Sequence, residues 1–132
     1  ASEINSIGDV PNGAGWQWAT EMIKLTLDKL EKLPACIVYV GHHDMKEVKT
    51  ATDKWHKSTI SIGGKTGQAL LAWADHVLNI EASWNSKELK RIVRTRPSQY
   101  LDAKSRGDVV PDGMVWGEDM KVNYDKFRSL FS

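Results

Sequence analysis

Cysteine is almost missing from this sequence, and so is any excess of charge. Cys36 is the single cysteine. A disulfide framework within the chain is therefore excluded, and the buried thiol expected of Cys36 inside a strand suits a reducing cytoplasm, the expected location. The 18 basic residues almost balance the 17 acidic ones. That excludes a strongly basic nucleic-acid coat but not a local basic patch. No apolar run approaches the roughly 20 residues of a bilayer span, so a membrane partner is not expected. No stretch reads as a signal peptide. What the chain does have is tryptophan, six in 132 residues. At this length one domain, 1–132, with a real core is expected.

The sequence organises itself around residues 35–44, ACIVYVGHHD. A short β-branched and aromatic run between Pro34 and Gly41 predicts a strand buried on both faces, as in a parallel sheet. Parallel sheets hold their ligands beyond the carboxyl ends of their strands. His42, His43 and Asp44 fall at that position.

Residues 1–14 carry glycine, proline and asparagine and predict an irregular lead-in. From Gly15 to Leu33, Trp16, Ala19, Ile23, Leu27 and Leu30 recur at helical spacing, with Trp16 and Trp18 as packing residues and Pro34 as the stop. The lysine-rich stretch 46–61 has little periodicity and predicts a long mobile loop. A short apolar helix over 68–74 follows, then a strand over 76–82 and an antiparallel partner over 89–95. A PDG turn at 111–113, a short edge strand at Val115 and Trp116, and a final helix complete the chain. That helix is expected to be capped by Asn123, with Tyr124, Phe127, Leu130 and Phe131 facing inward.

Three features carry chemistry. Gly64, Lys65 and Thr66 resemble the end of a phosphate-binding loop, but Thr59 stands where that loop needs its first glycine. The plainer reading is a glycine hinge. Next, His42 with Asp44, and His56 brought round by the loop, could bind a metal, although their spacing matches no standard ligand pattern. The plainer reading there is a polar strand end that senses a ligand. The third feature is the basic series Lys87, Lys90, Arg91, Arg94, Arg96, Lys104 and Arg106. On a hairpin, Lys90, Arg94 and Arg96 share one face and Arg91 takes the other. The series either keeps an edge strand soluble or contacts phosphate, with Lys104 and Arg106 aimed at one anion.

In this order, the parts resemble the second half of a RecA-type ATPase core, most closely the phage-encoded RecA-like nucleotide-binding proteins associated with single-strand annealing. The stretch GWQWATEMIKLTLDKLEKLPACIVYVGHHD resembles the helix and strand after the Walker B strand. The resemblance implies that His42 senses the γ-phosphate. It implies that the lysine-rich stretch is a DNA-binding loop, using Lys46, Lys49, Lys54, Lys57 and Trp55, closed by Gly63 and Gly64. Lys104 and Arg106 resemble the K-x-R pair with which DnaB- and KaiC-like members reach a neighbouring subunit's nucleotide.

The fold implied is α/β: part of a RecA-like three-layer sandwich, with a mainly parallel sheet and an antiparallel hairpin at one edge. ATP and magnesium are implied for the intact family. The Walker A loop and the Walker B aspartate would lie upstream of Ala1, so the chain resembles a truncated or degenerate member. On this reading it is expected not to hydrolyse ATP unless that half completes it. Expected partners are single-stranded DNA, nucleotide and further copies of the chain. The alternatives are a non-enzymatic oligomerising module and a small metal-dependent hydrolase built on His42, Asp44 and His56.

Overall fold

The computed structural model describes Ser6, Asp9 and residues 11–131, so most of the expected lead-in lies outside the described residues. The fold is mixed α/β, and every pair of named strands is antiparallel. The chain divides into two compact units, Ala1–His42 with Ser61–Trp73, and His43–Ile60 with Ala74–Ser132.

The first unit pairs two helices, α1 (Ala14–Glu31) and α2 (Gly64–Trp73). A 3-10 turn at Pro11–Gly13 leads into α1, with Gly13 in the left-handed region at φ 69°. Gly15, Thr20 and Leu27 are the buried residues of α1, and Gly67 and Leu70 those of α2. The Thr20 hydroxyl donates to the Trp16 carbonyl at 3.0 Å, so it accepts from Thr66 Oγ1 at 2.9 Å. Trp16 and Trp18, expected as packing residues, are both largely exposed. The stripe that packs on α2 begins at Gly15, which turns both indoles outward.

Residues 36–40 are not a strand. They carry no backbone hydrogen bond among the described residues; Cys36, expected buried, is exposed, and Val38 and Val40 are 71% and 87% exposed. A strand exists only when a neighbour satisfies its N–H and C=O groups, and no described segment lies alongside. The mainly parallel sheet expected around this run is accordingly absent among the described residues.

The second unit opens with a hairpin, β1 (His43–Lys49) and β2 (Lys54–Ile60), where the sequence predicted a loop over 46–61. Its turn is closed by Thr50 and Asp53, the Asp53 N–H donating to Thr50 Oγ1 at 3.0 Å. Val48 opposite Trp55 gives one face an apolar contact. A short pair, β3 (His76–Val77) with β6 (Lys104–Ser105), stands beside a three-stranded sheet ordered β4 (Asn79–Asn85), β5 (Glu88–Arg94), β7 (Met114–Trp116). The predicted hairpin over 76–95 is thus largely present, though its first strand is broken at Leu78.

The core lies on one face of this sheet, where Val93, Val110 and Met114 pack with Leu78, Trp116, Phe127 and Leu130. The PDG turn forms as expected. Gly113 takes φ 82°, a conformation that a side chain disfavours, and its N–H donates to the Val93 carbonyl at 2.9 Å. Asp112 accepts from the N–H groups of Thr95 and Arg96 at 2.8 and 3.2 Å. These two bonds hold its carboxyl below the ordinary range against a smaller opposing effect of burial, helped by Arg94 and Arg96.

Helix α3 (Met120–Ser129) starts earlier than expected, because Asp119 rather than Asn123 caps it, accepting from Lys121 and Val122 N–H. Tyr124, expected inside, is exposed. Asn123 is buried and clasps Gly117 at both ends: the Gly117 N–H donates to its Oδ1 at 3.1 Å, and its Nδ2 donates to the Gly117 carbonyl at 2.9 Å. Asn123→Ala leaves both backbone groups unpaired, so it is expected to destabilise the protein by roughly 2–3 kcal/mol in a urea titration. A loss below about 0.5 kcal/mol, the size of an ordinary surface substitution, removes the clasp from the account.

Candidate functional site

The register of the basic hairpin sorts the predicted DNA-contact residues onto two faces. Lys49 and Lys54 face one side with Glu47, to which both are paired at 3.2 and 3.0 Å. Lys46, Trp55 and Lys57 share the other side, with Lys46 directly opposite Lys57. Two like charges in direct cross-strand opposition repel. Asp102 compensates: Lys57 Nζ lies 2.6 Å from its carboxylate, and the Lys46 charge also acts on it. Burial alone would raise the Asp102 carboxyl. Hydrogen bonds from Lys57 and Thr59, with the charges of Lys57 and Lys46, outweigh burial and hold it below the ordinary range.

The segment carrying Asp102 runs along β2. The Ser58 N–H donates to the Tyr100 carbonyl at 2.8 Å, and the Asp102 N–H donates to the Ser58 carbonyl at 2.9 Å. The Trp55 indole N–H donates to the Gln99 carbonyl at 2.7 Å. Trp55 is therefore anchored by its edge, which leaves the π-face as the part that can stack on a base.

Two residues beyond Asp102 the chain enters β6. Ser105 turns inward, accepting from the Val110 N–H at 2.9 Å with His76 Nδ1 3.2 Å away. Lys104 is the first residue of β6, and Arg106 opens the 3-10 turn Arg106–Asp108 that follows it, so strand alternation does not extend to Arg106. Arg106 is exposed and aligned by Asp75 at 2.8 Å. Asp75, Gln99 and Asp102 escaped the sequence reading. The one available signal was Asp102 standing two residues before Lys104.

The other predicted residues lie elsewhere. His42 and the glycine pair belong to the first unit, where the His42 carbonyl accepts from the Ser61 N–H at 2.9 Å. The imidazole is not at the tip of a central strand, since residues 36–40 form none. A side chain added at Gly63 or Gly64 would meet nothing within 4 Å, and Gly64 takes φ 63° at the start of α2. His42, Asp44 and His56 do not form a metal group, nor does any other cluster among the described residues. The reason is register: His43 pairs with Ile60, which puts His56 four residues further along the hairpin, opposite Glu47.

A family model described as an AAA domain matches residues 1–107. The chain belongs to the AAA domain family. No curated protein and no solved structure matches it significantly. For an AAA domain, an ATPase-like P-loop family, nucleotide and magnesium are implied in the intact protein. The matched residues include the basic hairpin and the Lys104–Arg106 pair, and stop before β7 and α3.

The described residues fit only part of that ligand. Lys104 and Arg106 suit phosphate oxygens. Gly63, Gly64, Lys65 and Thr66 do not form a magnesium-binding loop: the Thr66 hydroxyl is bonded to Thr20, and the Gly67 N–H points back to the Gly63 carbonyl. No described helix is long and apolar enough to cross a membrane.

Asp102→Asn is expected to destabilise the protein by about 1 kcal/mol at neutral pH, where it removes a paired charge. Because the folded carboxyl titrates below its ordinary 3.8, its contribution is complete above that value and is lost as pH falls through the lower folded value. Urea titrations at neutral pH and near pH 2 should show the gap between wild type and variant closing at the acid end. A gap that stays constant with pH rules out this role for the carboxylate.

Proposed function

We propose that this AAA domain segment couples the state of a bound nucleotide to contact with single-stranded DNA, in a RecA-like ATPase of the kind used in phage-type recombination or repair. The observation that carries this reading is the continuous stretch 99–106. At one end it is hydrogen-bonded along β2 of the basic hairpin, and at the other it ends in Lys104 and Arg106.

In this reading Lys104 and Arg106 contact phosphate oxygens, Arg106 being pre-aligned by Asp75. A displacement of β6 on nucleotide binding is passed through Asp102 to Lys57 and so to Lys46 and Trp55, which meet the DNA backbone and a base. Lys49 and Lys54 contribute at the margins of that contact, and within the first unit His42 is the γ-phosphate sensor and Gly63 with Gly64 the close of the DNA-binding loop. Bound ATP with magnesium would supply the phosphoryl group whose presence or loss is read. The phosphate-binding loop and the magnesium carboxylate come from outside the described residues, so the segment alone binds without turnover.

The test is a titration of labelled single-stranded DNA with and without ATP and magnesium. Affinity is expected to fall roughly tenfold between about 50 and 200 mM salt, for two to three phosphate contacts. Lys46→Glu is expected to weaken it further. Arg106→Ala is expected to abolish the nucleotide effect while sparing nucleotide-free affinity. Absent or salt-independent binding overturns the DNA part. A nucleotide effect that survives Arg106→Ala overturns the phosphate part.

A second reading, an oligomerising module without turnover, is favoured by residues 36–40. An uncharged run with open hydrogen-bonding edges and exposed valines adds readily to another sheet edge. It would form the inner strand of a mainly parallel sheet on joining a partner copy. Val38→Lys with Val40→Lys is then expected to convert a self-associating protein to monomer by sedimentation. A wild-type chain that stays monomeric at high concentration excludes this reading.

A further inference from the structure

The hairpin of β4 and β5 runs past the end of β7, whose last pairing is Trp116 with Arg91. Beyond that point it is a two-stranded arm closed by Ser86 and Lys87. The two faces of the arm differ. On one, Lys90 lies 3.8 Å from Glu88, and on the same face of the three-stranded part Arg94 lies 3.2 Å from Glu81.

The other face continues the sheet surface that carries Val93 and Met114. The register puts Trp84 opposite Leu89 and Ala82 opposite Arg91, so Arg91 is the diagonal neighbour of Trp84, about 7 Å away and within reach of long side chains. No sheet residue on this face is acidic. The side chain of Arg91, a half-buried residue, has no hydrogen bond or ion pair among the described residues, and Trp84 is 79% exposed. Lys87 adds an exposed cation at the tip.

We propose that this face of the β4–β5 arm is a contact site for single-stranded nucleic acid, with a base stacked on Trp84 and the adjoining phosphate held by Arg91 and Lys87. The pairing of an open indole with an unneutralised guanidinium, on a face whose strand residues include no acid, is complementary to a polyanion whose bases are unpaired. A duplex hides its base faces and offers Trp84 nothing to stack on. A protein segment would meet apolar surface here, but nothing on this face selects one. The site is independent of the Lys46–Lys57 hairpin face and does not require nucleotide.

The experiment measures anisotropy of a labelled oligothymidine against the full chain at several salt concentrations. Trp84→Ala is expected to weaken binding about tenfold or more, and Trp84→Phe to restore most of it. Arg91→Gln is expected to reduce the salt slope by about 0.7, one phosphate contact on a single strand. An unlabelled duplex should compete worse than the single strand. Trp84 is exposed, so its variants test binding and not folding.

Loss of binding on Trp84→Ala with Lys46→Glu silent supports this site and removes the hairpin from the DNA contact. Loss on Lys46→Glu with Trp84→Ala silent overturns this site and leaves the function proposed above standing. Equal binding by duplex, or a Trp84→Ala change confined to self-association, also overturns it.

Discussion

The opposition of Lys46 and Lys57 across the first hairpin is the constraint from which much of the second unit follows. Two ammonium groups in direct cross-strand register disfavour the hairpin that contains them, and Asp102 offsets the repulsion from outside it. Because Asp102 arrives on a segment that also bonds the β2 backbone, charge compensation and strand addition are one event. The position of Lys104 is then inherited, since two residues of chain after an anchored Asp102 leave the start of β6 little freedom, whereas Arg106 is set by Asp75.

Stability in that unit is concentrated where the sheet is thickest. β5 is hydrogen-bonded on both sides, and Val93 at its centre is fully buried. Around it stand two polar devices: Asp112 gathers the end of β5 with the following turn, and Asn123 ties α3 to the chain leaving β7. Both use a side chain to satisfy backbone groups that no strand or helix can reach. The arm carrying Trp84 projects from this rigid part, which gives an exposed aromatic a fixed place to stand.

The parts legible in sequence were those governed by local rules. The helical spacing through Leu27 and Leu30, the alternation along β5, the turn at Gly113 and the split of Arg91 from Lys90 and Arg94 all follow from periodicity or turn chemistry. The misses depend on partners distant in sequence. Residues 36–40 have the composition of a buried strand, but pairing decides whether a strand exists, and composition does not reveal the pairing. The stretch 46–61 looked structureless because its lysines mask a weak alternation, and its order comes from Asp102 and Gln99, more than 40 residues away. Asn123 has the residue type of a cap, yet Asp119 does that work and Asn123 is spent on Gly117. At the candidate site, Asp102 beside Lys57 and Asp75 beside Arg106 were not readable, because both acids act across contacts that sequence spacing does not reveal.

The unbonded backbone of residues 36–40 sets a clock inside the chain. With no acceptor holding them, these amides trade hydrogen for deuterium at the pace of an unfolded peptide, while the amides in the middle of β5 wait for the whole unit to open. The described residues thus include a fast-exchanging and a slow-exchanging stretch about 55 positions apart. Anything that comes to lie along residues 36–40 announces itself by slowing the first without touching the second.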